Sequence, residues 1–562
     1  MRIASFWGVV GVILILASSA INTMQVGQIP PNPKVVGPPV LQQVGKRGGQ
    51  LTISIANPKT LNPFPAVLDR PDPLVTLMHA GILETNPLTG LLEPALAKSY
   101  EFSKDGQSVT IILREGLRFS DGDDFTANDV VFTYKEALDF ILRGLQLQFK
   151  VMDKHTLTIT AAAPIFPGIF RAIGPLPILP EHRLRGKATS GWGLGTPPDQ
   201  IAGMGPYRLV SYAAGQQFVL ERNPFFWKVD TNGQQLPYLD RVIAVVTPYR
   251  EDELQKLQSG SIDFLVLKPE ELATMQQAPG FRTIIGGLAY GFEFLALNQD
   301  VRDADLQKLF RERLFRQALA QALNRKKVLE AALKGLGKER FGPVGEASPF
   351  FDPAIARYDF NLSAAGAKLD QLGLVDTDKD GIRNLTRNKQ AEFEILTNQD
   401  NRTRIITATQ LKEDLQQIGI RVHLKLIPFA ELNQRLTSGN FTAILAGFGS
   451  SMDLPNPVTP FDEIYRSSGR LHFWHRSASQ KPFDYERRID KLFDESFQVT
   501  DLEQLKKFIS EFQQIIADQQ PFIPLFSRTY IVLINAALGN SERLNANGGP
   551  LEFIIVLFRK DL

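Results

Sequence analysis

Residues 402–448 constrain the architecture of this chain more tightly than any other stretch. The segment RTRIITATQLKEDLQQIG sets Ile405, Leu411, Leu415 and Ile418 mostly on one helical face and stops at Gly419. IRVHLKLI follows, with Ile420, Val422, Leu424 and Leu426 alternating, and FTAILAGF is a short apolar run suited to a buried strand. Helix, strand and buried strand in this order predict an α/β unit with a parallel sheet.

Elements of both kinds continue along the chain. QLTISIA, from Gln50, alternates like a strand and is stopped by the three prolines of NPKTLNPFP. The stretch 93–122 reads as strands around an Asp105-Gly106 hairpin turn, followed by a helix starting near Thr126. Near the end, Thr500 and Glu503 form a capping box ahead of a helix whose apolar stripe runs from Leu502 to Ile516. No internal repeat is evident.

The first 20 residues carry Arg2 and then 18 uncharged residues, Ile3 to Ala20, ending in Ser18-Ser19-Ala20. A basic tip, an apolar middle and a small-residue exit predict a secretory signal peptide over residues 1–20 and work outside the cytoplasm, in the periplasm. An uncut membrane anchor is the alternative, since 18 residues sit at the lower edge of the roughly 17 to 25 that span a bilayer. Residues 21–49 are rich in Pro and Gly and read as a spacer. The chain has no cysteine. It must therefore hold itself together by burial without disulfides, which its 562 residues allow, and it has no Cys to carry a lipid anchor. Loss of Arg2 takes the charge balance from 62 minus 60 to 61 minus 60, with no basic block, which argues against nucleic acid as a partner.

Several spaced motifs resemble the family 5 extracellular solute-binding proteins, the substrate receptors of peptide, nickel and oligosaccharide ABC importers. They are LREGLRFSDGDDFTANDVVFTY (Leu113 to Tyr134), GMGPYRLVSYAAGQQFVLERNPFFW (Gly203 to Trp227) and FRERLFRQALAQALNRKKVL (Phe310 to Leu329), followed by QLKEDLQQIGIRVHLKLIPFAELNQRL and ADQQPFIPLF. Each block also has a plain structural reading as a turn, a strand or an amphipathic helix, so the blocks speak to fold more than to ligand. The resemblance implies an α/β, two-lobed periplasmic-binding-protein fold (type II, cluster C-like) with an extra domain inserted in the first lobe. On that pattern residues 50–85, 201–295 and 516–562 form lobe I, 86–200 the inserted domain and 296–515 lobe II. The chain would cross between lobes near Phe294 to Asn298 and again near Pro521 to Leu525, making a hinge that closes over ligand. The implied function is the substrate-binding component of an ABC importer: a monomer that captures a peptide-like or other polar small molecule and delivers it to an inner-membrane permease. An oligosaccharide or nickel-chelate receptor is the alternative.

In peptide-binding relatives a stretch resembling W-x-x-D-x-x-D-P lines the cleft, its first Asp pairing with the ligand's amino terminus. Here the stretch is AGFGSSMDLPNPVTPF, with Phe448 where Trp is common, Asp453 four residues before Pro457, and Asn456 for the second Asp. The spacing is two residues longer, so the loop is expected to bulge. A desolvated carboxylate facing an ammonium group is chemically sound, although a Pro-rich turn also suits a solvated Asp453. Backbone groups of Gly449, Ser450 and Ser451, and of Ala66, Val67 and Leu68 across the cleft, resemble the strands that pair with bound peptide. No Arg suited to a ligand carboxylate is identifiable.

Two further constellations stand out. SSGRLHFWHR holds His472, Trp474 and His475; it lacks Cys and a clear third ligand, so a packed aromatic loop is favoured over metal, with Trp474 as a cleft residue. DTDKDGIRN places Asp376, Asp378 and Asp380 before Gly381 like the first half of a calcium loop, with Asn384 as a further ligand but Arg387 where a bidentate Glu belongs. Any calcium would be structural, and no cofactor is required. Enzyme motifs are missing: there is no H-E-x-x-H, G-x-S-x-G or P-loop, which leaves only an unspecified carboxylate pair for a periplasmic hydrolase.

Overall fold

The computed structural model describes residues 35–36, 43–64, 73–86, 92–140, 146–162, 165, 170, 173–187, 191–449, 458–469, 471–476, 481–496, 499, 502–541 and 550–562. The signal peptide, most of the spacer, Thr500, and the site residues Ala66, Val67, Leu68, Ser450, Ser451 and Asp453 lie outside the described residues.

The alternation in QLTISIA becomes the strand Gln50–Ile55, which buries Leu51, Ile53 and Ile55. It pairs in parallel with Arg241–Val246, and the antiparallel strands Gln217–Arg222 and Tyr207–Ala213 complete a four-stranded sheet. A separate antiparallel sheet is ordered Ala97–Phe102, Ser108–Leu113, Thr156–Ala161, Leu147–Asp153, and both sheets contribute to one hydrophobic core. Its first hairpin turns at Asp105-Gly106 as expected. Gly106 takes the left-handed φ of 69° there, and the Asp105 carboxylate accepts a hydrogen bond from the Gln107 N–H at 3.0 Å. The helix Ala127–Phe140 begins one residue after Thr126, whose N–H and hydroxyl both donate to Asp129.

The second half is built on a seven-stranded sheet ordered Phe264–Leu267, Phe522–Asn535, Phe281–Leu297, Ala443–Phe448, Glu392–Asn398, Arg421–Ile427, with Gly337–Glu339 added on Phe522–Asn535. The α/β unit read from residues 402–448 is present. Helix Arg402–Gln416 connects Glu392–Asn398 to Arg421–Ile427 in parallel, and Ala443–Phe448 joins the other side, also parallel. The sheet as a whole is mixed, because Ala443–Phe448 runs antiparallel to Phe281–Leu297.

Two long strands, Phe281–Leu297 and Phe522–Asn535, join the halves as an antiparallel pair. Ile284, Val532 and Ile534 at one end lie in the first core, while Leu295, Leu297, Ile523 and Leu525 at the other lie in a second. The register breaks between Ile285 and Leu288 and again between Leu288 and Phe292, in a stretch holding Gly286, Gly287 and Gly291. Phe294 to Leu297 and Phe522 to Leu525, where the chain was expected to cross, are paired with each other in the sheet, which continues through Ala443–Phe448. The boundary at 516 likewise cuts through one helix, Leu502–Gln519.

Candidate functional site

Glu392–Asn398 and Ala443–Phe448 are parallel neighbours, so their carboxyl ends open on the same edge of the sheet. In open α/β sheets that edge is where ligands bind. The same edge meets the segment where the long strands cross between cores.

A charged cluster occupies this edge. Glu293 is 5% exposed and sits in the apolar run FEFLALN. Arg404 Nε donates to its Oε2 at 2.8 Å and Arg528 Nη2 to its Oε1 at 2.7 Å. Arg404 comes from the first turn of its helix, capped by Asn401, and its Nη1 donates to Asn398 Oδ1 at 3.0 Å. Glu293 faces Gly447 in the ladder, and a Cβ at Gly447 would lie 2.6 Å from Glu293 Oε2 and 2.8 Å from Arg404 Nη2. Glycine is thus required by the buried ion pair itself. One carboxylate between two guanidinium groups leaves an excess positive charge, and Arg528, a third exposed, is the more open of the two.

Phe448 closes the edge, half-buried against Phe292, Phe294, Phe473 and Phe522, with ring centroids 4.6 to 6.1 Å away. Gly449 beyond it is exposed. Arg340 lies 3.9 Å over the Phe292 ring and donates to Ser527 Oγ at 3.1 Å. Beside it a small recess of about 30 Å³ is lined by Leu288, Lys338, Arg340, Phe341, Phe351 and Ser527. Of the expected site residues, Phe448 and Gly449 are therefore at this edge.

Trp474 is not a cleft residue. It is fully buried between Tyr465, Phe473 and Phe522, and its Nε1 donates to Glu486 at 3.1 Å. The packed aromatic loop expected here is present, and the buried carboxylate of Glu486 draws the polar edge of Trp474 inward.

Asp376, Asp378 and Asp380 do converge, with one oxygen from each within 4.8 Å of the others, all exposed. Asn384 stands at the base of the loop. Its Oδ1 accepts from Thr377 N at 2.7 Å and Thr377 Oγ1 at 2.8 Å, which fastens the loop's base. Asp376 closes the turn by accepting from the Gly381 N–H at 2.9 Å.

Glu293, Arg404 and Arg528 were not singled out by sequence. The available signal was a lone carboxylate within an apolar strand, a position that burial makes costly unless it is paired.

Two cores joined by continuous strands, with an open carboxyl-end edge at the junction, define a two-lobed solute-binding protein. A model of the bacterial extracellular solute-binding proteins, family 5 Middle, matches residues 92–470, and the chain belongs to that family. It is 26% identical over 515 residues to a probable ABC transporter-binding protein of Deinococcus radiodurans, spanning 85% of this chain and 86% of that protein. It is 25% identical over 504 residues to the oligopeptide-binding protein AppA of Bacillus subtilis, spanning 86% of each. Its fold is similar to that of the ABC transporter substrate-binding protein CtaP of Listeria monocytogenes, with a TM-score of 0.74 at 20% identity, covering 92% of this chain and all of that one.

Proposed function

We propose that this chain is the substrate-binding component of an ABC importer, working outside the cytoplasm and delivering a peptide-like ligand to a membrane permease without catalysis. The observation that carries this is the junction: a charged, aromatic edge placed where two strands with broken register link two cores. Ligand that touches both lobes favours the closed arrangement by the contacts it makes only there. Phe448 and Gly449, with Ser450 and Ser451 following and Ala66, Val67 and Leu68 opposite, are the proposed backbone-pairing segments. Asp453 is the proposed partner of a ligand ammonium group.

Thermal shift with di- to pentapeptides, raffinose-type oligosaccharides and nickel chelates tests the ligand class. Stabilisation by peptides is expected; stabilisation by sugars or chelates alone would replace the peptide reading. Asp453→Ala is expected to weaken binding of the stabilising peptide by about 2–5 kcal/mol in calorimetry, and unchanged affinity removes Asp453 from the site.

A further inference from the structure

A second constellation lies on the loop whose Phe473 packs against Phe448 and Phe522. His472, His475 and Glu486 are all buried, with one ligand atom from each within 4.8 Å of the others. Glu486 stands on the apolar face of helix Asp484–Ser496, three residues before the buried Ile489. The two histidines come from the loop that packs against it.

The orientation of the rings is informative. His472 Nδ1 lies 3.1 Å from the Ile464 carbonyl oxygen, which can only accept, so that nitrogen carries the proton. His472 Nε2 faces Glu486 Oε1, 3.0 Å away. His475 Nε2 is turned toward Asp300 Oδ1 at 3.8 Å, and its Nδ1 lies 2.9 Å from Glu486 Oε2. Each ring points its near nitrogen at one oxygen of a shared carboxylate, and His472 also directs its far nitrogen at a backbone carbonyl. Outer oxygen acceptors that fix the tautomer, with inner nitrogens converging on a carboxylate, are the usual surroundings of metal-bound histidine.

Glu486 retains the capacity for this role. Its Oε1 also accepts from Trp474 Nε1 at 3.1 Å and from the Tyr485 hydroxyl at 3.3 Å, and its Oε2 from the Phe483 N–H at 2.9 Å. These contacts orient the carboxylate. Each inner nitrogen must present either a proton or a cation to the carboxylate, because facing lone pairs at about 3 Å repel.

We propose that His472, His475 and Glu486 bind one divalent transition-metal ion of the zinc class, for which two imidazoles and a carboxylate are a suitable donor set. The site is closed, so the ion is structural. It fastens the 471–476 loop to helix Asp484–Ser496 and, through the 2.7 Å bond from Gln299 N to the Trp474 carbonyl, to the end of strand Phe281–Leu297.

The test uses the untagged full chain. It is refolded with one equivalent of Zn²⁺ or Co²⁺, passed over a desalting column and analysed by plasma mass spectrometry. About one metal ion per chain is expected, with visible d–d absorption in the cobalt form, both lost in His475→Gln and in His472→Gln. Circular dichroism checks that each variant folds. Metal below about a tenth of an equivalent in the unsubstituted chain overturns the proposal, as the two inner nitrogens then hold protons instead. Full metal retention by both folded variants overturns it as well, since the ion would then sit elsewhere. Should both variants fail to fold, cobalt in the unsubstituted chain without tetrahedral nitrogen and oxygen bands is the contradicting result.

Discussion

His79 lies 5% exposed in the first core, its ring stacked on Trp192 at 5.9 Å and pressed by Gly203. Neither ring nitrogen has a hydrogen-bond partner among the described residues. Burial alone brings its pKa from 6.5 down to about 3. The unfolded chain therefore takes up a proton near pH 6.5 that the folded chain refuses until about pH 3. Across that window the unfolded state binds more protons, so stability is full above the unfolded pKa and falls as the pH drops. At pH 5 the gap from 6.5 is one and a half units, or about 2 kcal/mol, and at pH 4 about 3 kcal/mol. His79→Phe keeps a ring for Trp192 and cannot titrate. Urea unfolding followed by tryptophan fluorescence, for both chains at pH 7, 6, 5 and 4, gives the difference directly. The variant should gain about 2 kcal/mol on the wild type between pH 7 and pH 5. A difference that stays constant with pH refutes the reasoning, because His79 would then titrate alike in both states.

Other perturbations bear on the charged edge and the loops. Glu293→Gln leaves Arg404 and Arg528 without their carboxylate and should destabilise the chain by about 3–5 kcal/mol in urea unfolding; an unmoved midpoint would mean the cluster is solvated. Gly447→Ala drives a methyl into Glu293 and Arg404 and should cost about 1–3 kcal/mol, whereas wild-type stability would show that the pair can shift freely. Calcium at millimolar concentration should bind at Asp376, Asp378 and Asp380 with Kd of about 10⁻⁴–10⁻³ M, since no bidentate Glu is present, and Asp378→Asn should abolish it. Calorimetry checks this, and heat unaffected by the substitution places calcium elsewhere.

Local patterning carried much of the architecture. The alternation at 50–55, the Asp105-Gly106 turn and the helix and strand over 402–427 are each determined by their own side chains, and all are present. The long strands were harder to read. Gly286, Gly287 and Gly291 interrupt any alternation in Phe281–Leu297, and its pairing with Phe522–Asn535 spans more than two hundred residues. The charged edge escaped for a similar reason, since Glu293, Arg404 and Arg528 lie 111 and 235 residues apart and meet only through the sheet. The packed aromatic loop expected around Trp474 is present, but the buried partner that Trp474 shares with His472 and His475, Glu486, stands on a later helix and was out of reach of the local pattern.

Native mass spectrometry of residues 21–562 tests the central claim most directly. The chain is purified gently from cells, measured, then refolded and offered a pool of oligopeptides, oligosaccharides and metal chelates. A binding protein should carry a non-covalent small-molecule mass that is lost on refolding and regained from the pool. A chain that is bare as purified and stays bare in every pool contradicts the account.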